Sequence, residues 1–166
     1  AGQILWQQRY DFGWWGLLGG SVEMDENLSQ CLIREVQEES GYLVKIERLV
    51  GVYSSPDFDV TYPNGDQAQQ ITFTFACTLQ GGEMNTNNDE TLALNWLDPN
   101  TLPETAPWYK VMMADYHLNT PRVQFAHGDP GNGRLSQPFY KFIRQFIGKD
   151  AYIGVGAAAI IRNQDG

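Results

Sequence analysis

Cysteine, cationic residues and long apolar runs are all scarce in this sequence. Its two cysteines, Cys31 and Cys77, lie in apolar segments without a spacing pattern, which excludes a disulfide framework and predicts reduced core residues of a cytoplasmic protein. The longest apolar run, 151–161, is too short to cross a bilayer and lies at the wrong end for a signal peptide. We therefore expect a soluble protein.

Positive charge is scarce because 11 Lys and Arg residues face 20 Asp and Glu residues, which gives a net charge of −9. Such a surface repels nucleic acids and anionic membranes, so we expect neither as a partner. Histidine occurs only as His117 and His127, and neither has a cysteine or a second histidine at ligand spacing. Neither histidine is assigned a catalytic role.

Length and hydrophobic periodicity together predict one α/β domain over residues 1–166. A chain of 166 residues that is 42% hydrophobic can bury one core but is short for two domains. Alternation of apolar and polar residues along 71–79 predicts a strand. A helix is predicted from a capping box of Asn27 and Gln30 to a stop at Gly41. We expect a sandwich around a mixed sheet, with further strands at 4–8, 43–53, 92–97 and 152–161 and further helices at 107–118 and 139–147.

The last turns of the first predicted helix carry clustered carboxylates in the segment REVQEES, 34–40. At about 100° per residue, Glu35, Glu38 and Glu39 fall within an arc of roughly 100°, where they repel one another. A divalent cation removes this repulsion, and hard oxygen ligands favour Mg²⁺ or Mn²⁺. Taken alone, the segment is explained at least as well by a solvated acidic helix face.

The spacing of the surrounding residues favours the metal site. The order is Gly20, five residues, Glu26, seven residues, Arg34-Glu35-Val36, one residue, Glu38-Glu39, one residue, and Gly41-Tyr42. This spacing matches the Nudix box at every defining position, so the sequence resembles the Nudix hydrolase family. The resemblance implies a Nudix α/β/α sandwich and a metal-dependent pyrophosphohydrolase that cleaves a nucleoside diphosphate linked to another moiety.

The resemblance also implies which residues bind the metal. Glu35, Glu38 and Glu39 would be ligands of Mg²⁺ or Mn²⁺, and the Gly20 carbonyl would be an additional one. A bound cation would neutralise phosphate oxygens and acidify a water.

Further roles follow from the same resemblance. Arg34 and Glu26 would form an ion pair that orients the glycine loop and the helix. The general base would be Glu39 or Glu38 in the first place and Glu90 in the second. Glu90 could equally be a metal ligand or an exposed loop acid.

Substrate contacts are less clearly indicated. Arg9 precedes the glycine loop, where a guanidinium suits a phosphate, although a solvated arginine explains it nearly as well. Tyr53 could stack on a base. The expected partner is a small nucleotide pyrophosphate: a nucleoside triphosphate, a nucleotide sugar or a dinucleotide. Many family members form homodimers, but no stripe of residues here identifies an interface.

Two substitutions and the order of the elements depart from the family pattern. Leu18 stands where a proline usually precedes the glycine pair, and Asp25 stands where a glycine usually precedes the first glutamate. Asp tolerates a left-handed conformation, so the bend at Asp25 can survive.

The order of elements predicts a circular permutation. The resemblance places a helix like 139–147 and a strand like 152–161 before the box, but here both follow it. The two ends of the chain resemble halves of one hairpin, and the Gly- and Pro-rich segment 127–134 would join the original termini. The alternative is that this tail is unrelated to the expected strand.

Two alternatives to a hydrolase stay open. A non-catalytic nucleotide sensor on a Nudix scaffold is one, although such proteins usually lack some box glutamates. An isomerase of isoprenoid diphosphates is the other, and it would require a catalytic cysteine, whereas Cys31 lies on the apolar side of the box helix.

Overall fold

The computed structural model describes residues 2–55, 60–61, 65, 67–86, 89–101, 103–126 and 154–163. The helix predicted at 139–147 and the connection predicted at 127–134 lie outside these residues. The elements in chain order are β1 (Ile4–Arg9), β2 (Trp15–Gly16), α1 (Leu28–Ser40), β3 (Tyr42–Tyr53), β4 (Val60–Thr61), β5 (Gln67–Ala68), β6 (Gln70–Gly82), β7 (Thr91–Leu97), α2 (Pro107–Leu118), β8 (Gln124–Ala126) and β9 (Gly154–Arg162).

The predicted mixed sheet is confirmed. Its main path follows the order β2-β1-β9-β6-β3-β8, and β7 pairs with β1. β9 runs parallel to β6 and antiparallel to β1, whereas β3 is antiparallel to β6 and parallel to β8. β4 and β5 form a separate hairpin. The C-terminal strand β9 therefore lies inside the sheet, between β1 and β6.

One helix packs on each face of this sheet. α1 contributes Cys31, Leu32 and Val36 to one buried cluster, and α2 contributes Met112 and Met113 to the other. Strand β9 serves both clusters because its side chains alternate: Ala157, Ala159 and Ile161 face α1, and Ala158 and Ile160 face α2. Neither helix in the described part of the chain has the length and apolar character needed to cross a membrane.

The boundaries of α1 are set by the residues predicted from the sequence. The Asn27 side chain accepts hydrogen bonds from the Ser29 and Gln30 amides, and the Gln30 side chain accepts one from the Asn27 amide. This completes the capping box. At the other end Gly41 adopts a left-handed conformation with φ of 76°, and its amide donates to the Gln37 carbonyl.

The glycine loop before α1 is attached to β9. The amides of Ala159 and Ala157 donate to the carbonyls of Leu18 and Gly20 over 2.8 Å and 3.0 Å. The two backbones approach so closely that a Cβ on Gly19 would overlap the Ala157 carbonyl. Asp25 has a φ of 68°, so the left-handed bend predicted there is present. Strand β9 therefore fixes the position of the loop.

We expect Gly41→Ala to lower the free energy of unfolding by about 1–2 kcal/mol, because a side chain is strained in the left-handed conformation. The added Cβ would also overlap the Glu83 carbonyl. Urea unfolding measures the difference. Gly81→Ala is the matched control, since no atom lies within 4 Å of its Cβ position. Equal stability of both variants would contradict this interpretation of Gly41.

Candidate active site

Glu39 lies in the last turn of α1 and points into the protein, with only 4% of its surface exposed. Its Oε2 accepts a hydrogen bond from the Gly19 amide over 2.7 Å, and its Oε1 accepts one from the Gln7 side chain over 3.0 Å. Burial raises the pKa of Glu39 to about 8, although these two hydrogen bonds act in the opposite direction. The Glu39 carboxylate thus joins the helix to the glycine loop and to β1.

Glu35 and Glu38 are both paired with the guanidinium of Arg34. Arg34 Nη1 lies 3.0 Å from Glu35 Oε1 and 3.0 Å from Glu38 Oε2. The Glu35 side chain is 14% exposed and that of Glu38 is 60% exposed. Burial raises the pKa of Glu35 and the Glu38 and Glu90 charges raise it further, while Arg34 lowers it. Arg34 thus offsets part of the repulsion within the acidic cluster.

The predicted ion pair between Arg34 and Glu26 is present and is bidentate. Arg34 Nη2 donates to Glu26 Oε1 over 2.7 Å, and Nε donates to Oε2 over 3.0 Å. The Arg34 hydrogen bonds lower the pKa of Glu26 to about 2. Nη2 also donates to the Ser21 carbonyl over 3.3 Å, so Arg34 connects the loop to the acidic turn of α1.

Gly20 and Glu90 lie beside this cluster. A Cβ on Gly20 would overlap the Glu35 carboxylate, so a larger residue here would displace that carboxylate from its present position. The Gly20 carbonyl accepts a hydrogen bond from the Ala157 amide and one from the Cys31 thiol. Glu90 is exposed, and its carbonyl accepts a hydrogen bond from the Tyr10 amide. The charge of Glu90 acts on Glu35, which puts Glu90 on the same side of the molecule.

The oxygen donors suit a hard divalent cation in their chemistry. Within the described ranges, however, no three Asp, Glu, His or Cys side chains converge closely enough to hold a metal ion. Glu39 faces the protein interior, Glu38 faces outward, and Arg34 contacts both Glu38 and Glu35. A cation bound here would therefore compete with Arg34 for the Glu35 and Glu38 carboxylates.

A cavity of about 140 Å³ adjoins the glycine loop on the α2 side of the sheet. Arg9 lines it and makes a bidentate ion pair with Asp11. Phe12 and Trp14 stack at a ring separation of 4.7 Å, and Trp108 meets Trp14 edge-on at 5.9 Å. Tyr109 also lines the cavity, which thus combines one cation with four aromatic side chains next to Gly19 and Gly20.

Tyr53 lies elsewhere. It is 1% exposed in the core cluster beneath α2, and its hydroxyl donates to Asp115 over 2.9 Å. Tyr53 is not one of the described residues that line the cavity. This geometry supports a structural role for Tyr53, and its contact with substrate stays a prediction.

Sequence reasoning did not identify Gln7 or the aromatic lining of the cavity. Gln7 could have been noticed, because it is a polar residue two positions after Leu5 and thus shares its inward face. The aromatic residues Phe12, Trp14 and Trp108 gave no comparable signal, because their meeting depends on how the loop packs against α2.

The raised pKa of Glu39 predicts a pH-dependent stability in the metal-free protein. Its pKa rises from an ordinary 4.5 to about 8 on folding, so the native state binds the proton more tightly. Its contribution to stability is present at low pH and is lost as the pH rises toward 8. We expect the free energy of unfolding of Glu39→Gln, minus that of the wild type, to grow between pH 5 and pH 8 by up to about 1.4 kcal/mol per pH unit.

Urea unfolding in EDTA at pH 5, 6, 7 and 8 measures this difference. Glu47→Gln is the control, because a hydrogen bond from Lys45 lowers the pKa of this exposed residue and no such growth is expected. A difference between Glu39→Gln and wild type that stays constant with pH would contradict the burial argument.

Comparison with known proteins supports the resemblance found in the sequence. A family model described as the NUDIX domain matches residues 1–116. An ADP-ribose pyrophosphatase of Methanocaldococcus jannaschii is 36% identical over 104 residues, which cover 63% of this chain and 57% of that protein. A MutT-like protein of Streptomyces ambofaciens is 32% identical over 115 residues, or 69% of this chain and 68% of that protein.

A third relative is named as an NAD-capped RNA hydrolase, NudC, of Photobacterium profundum. It is 34% identical over 107 residues, which cover 63% of this chain and 36% of that protein. The name of this relative includes an RNA substrate, so the expected absence of a nucleic-acid partner stays a prediction. The chain spans 57%, 68% and 36% of the lengths of these three relatives.

Solved structures show the same fold. A UDP-X diphosphatase matches with a TM-score of 0.59 and 24% identity over 75% of this chain and 60% of that one. A MutT protein from Bacillus halodurans matches with a TM-score of 0.54 and 27% identity over 77% of this chain and 83% of that one. The chain belongs to the Nudix domain family.

Proposed function

We propose that the protein is a hydrolase that uses Mg²⁺ or Mn²⁺ to cleave the pyrophosphate bond of a nucleoside diphosphate linked to another moiety. The observation that carries this proposal is the turn of α1 that presents Glu35, Glu38 and Glu39 beside the glycine loop, with Arg34 bound to two of them. The names of the relatives, which include a pyrophosphatase and a diphosphatase, support the same reaction class.

The residues proposed to hold the cation are Glu35, Glu38, Glu39 and the carbonyl of Gly20. All of them offer oxygen, which is the donor that Mg²⁺ and Mn²⁺ prefer. A bound cation would supply charge neutralisation at the phosphate oxygens and a water of lowered pKa. The net charge of −9 makes such neutralisation necessary, because the protein itself repels a polyanionic substrate.

Among the candidate bases we favour Glu38. Its side chain is 60% exposed, against 14% for that of Glu35, so its oxygens can reach a water at the surface. Both oxygens of Glu39 already accept hydrogen bonds from Gly19 and Gln7, which favours a ligand role for Glu39. Glu90 is the second candidate because its charge acts on Glu35. Proton removal of this kind contributes about 10² to 10⁴ to a rate.

We propose that the cavity beside Arg9 takes part of the substrate next to the phosphates. Its volume of about 140 Å³ approaches that of an apolar cavity that holds a single benzene ring. Aromatic rings of Phe12 and Trp14 offer a stacking surface, and Arg9 offers a cation to an anionic oxygen. A nucleotide joined to a second group fits this combination better than inorganic pyrophosphate.

We also propose that the chain is a circularly permuted Nudix domain. The family model matches residues 1–116, whereas β9 follows that segment and yet lies between β1 and β6. Gln3 and Asn163 exchange hydrogen bonds, with the Gln3 amide 3.0 Å from Asn163 Oδ1 and the Asn163 amide 3.3 Å from the Gln3 carbonyl. β1 and β9 are thus arranged as the two arms of a hairpin. A cytoplasmic location and a homodimer stay predictions.

A panel of substrates tests the proposed reaction. It comprises ADP-ribose, a UDP-sugar, a dinucleoside polyphosphate, a nucleoside triphosphate and inorganic pyrophosphate, each assayed for phosphoanhydride cleavage with Mg²⁺ and with EDTA. We expect turnover of at least one nucleotide with Mg²⁺ and none in EDTA. Inorganic pyrophosphate is expected to be cleaved more slowly. Glu38→Gln should lower kcat by about 10² or more.

Glu47→Gln is the control for Glu38→Gln. It removes one exposed charge whose hydrogen bonds are to Lys45 and Thr78, so kcat should stay unchanged. Nucleotide binding without turnover of any substrate would favour the ligand sensor. Neither binding nor turnover with any member of the panel would refute the proposal.

A further inference from the structure

Gln7 is a polar side chain within an apolar layer. It is 0% exposed on β1, two positions after Leu5, and it pairs across the sheet with Leu94 of β7. Leu5 and Leu94 both belong to the packing beneath α1, so Gln7 shares that face. A buried amide costs free energy unless it forms hydrogen bonds.

The Gln7 amide nitrogen uses both of its protons on groups of the site. Nε2 donates to Glu39 Oε1 over 3.0 Å and to Thr91 Oγ1 over 2.7 Å. The carbonyl oxygen, Oε1, is also buried and has no hydrogen-bond partner among the described residues. A leucine of similar size would fill the same space without this cost. Packing alone therefore does not account for a glutamine at this position, and its two hydrogen bonds are the features that a leucine would lack.

A β-bulge brings Thr91 to Gln7. Gln8 pairs with Ala93 and Arg9 pairs with Thr91, so Leu92 is the extra residue of β7. The bulge turns Thr91 onto the face of Gln7. There the Thr91 hydroxyl also donates to the backbone carbonyl of Glu39 over 3.4 Å. The Gln7 side chain is thus held between the end of α1 and β7.

We propose that Gln7 is a positioning residue that fixes the Glu39 carboxylate for the reaction. Glu39 has one oxygen on the Gly19 amide and the other on Gln7, so its orientation is determined by groups of two different elements. Removing Gln7 takes one hydrogen bond away from Glu39 Oε1 and so weakens the restraint on the orientation of the carboxylate. The proposal rests on the proposed hydrolase function, in which Glu39 is a metal ligand.

Gln7→Leu tests this role, with Gln8→Leu as the matched control. Gln8 is the next residue of β1, and its side chain donates to the Gly13 carbonyl and not to Glu39. We expect Gln7→Leu to lower kcat by about 10- to 100-fold at saturating Mg²⁺, as losses of residues that orient metal ligands do. KM should change less than threefold. The variant should stay folded at the assay temperature, with a melting temperature below that of the wild type because the buried Glu39 carboxylate loses one donor. Gln8→Leu should keep the wild-type kcat.

A second readout needs neither metal nor substrate. The Gly19 amide proton is bonded to Glu39 Oε2 over 2.7 Å, so its NMR chemical shift reports the position of that carboxylate. In the metal-free protein, Gln7→Leu should move the Gly19 resonance in the direction that Glu39→Gln moves it. Gln8→Leu should leave it in place. If Gln7→Leu does not fold, Thr91→Val is measured in the same way. This variant removes the hydroxyl that accepts a hydrogen bond from Gln7.

The outcomes separate this proposal from the proposed function. A Gly19 resonance that does not move in Gln7→Leu overturns the positioning role. So does a shifted resonance in an enzyme whose kcat is unchanged. If the wild-type protein turns over no substrate, the proposed function fails, and the Gly19 resonance alone still decides whether Gln7 orients Glu39.

Discussion

The hydrogen bond from the Gly19 amide to the Glu39 carboxylate is the contact on which the site depends. It joins the last turn of α1 to the glycine loop, and the loop is in turn attached to β9 through Leu18 and Gly20. A helix is stiff, so fixing Glu39 also fixes Glu35 one turn earlier on the same face. The carboxylate is buried at a cost that raises its pKa, and the fold offsets part of this cost with donors from two elements.

Charge balance explains the second feature of the site. Three carboxylates on one turn repel one another, and Arg34 reduces this repulsion by contacting Glu35 and Glu38 while it is held by Glu26. The bidentate contact with Glu26 uses the fixed geometry of the guanidinium, which lysine cannot reproduce. In the proposed function a divalent cation takes over the neutralisation of Glu35 and Glu38. Arg34 then still holds the glycine loop in position through its ion pair with Glu26.

Local features of the fold could be predicted from the sequence because short segments specify them. The capping box at Asn27, the left-handed stop at Gly41 and the strand predicted from the alternation along 71–79 depend on neighbours within a few residues, and all three are present. The contacts of Gln7 could not be predicted, because a bulge at Leu92 changes which face Thr91 occupies. Periodicity likewise did not separate Tyr53, which lies in the core, from the aromatic rings that line the cavity.

The central claim is that the acidic turn of α1 binds a divalent cation. Isothermal titration of Mn²⁺ in the presence of a non-hydrolysable nucleotide tests it most directly, with the wild type, Glu35→Gln, Glu38→Gln and the distant Glu47→Gln compared at one pH. The account predicts Mn²⁺ binding that is at least about 10-fold weaker in Glu35→Gln and Glu38→Gln and unchanged in Glu47→Gln. Equal affinity in all four proteins, or no uptake by the wild type, would contradict it.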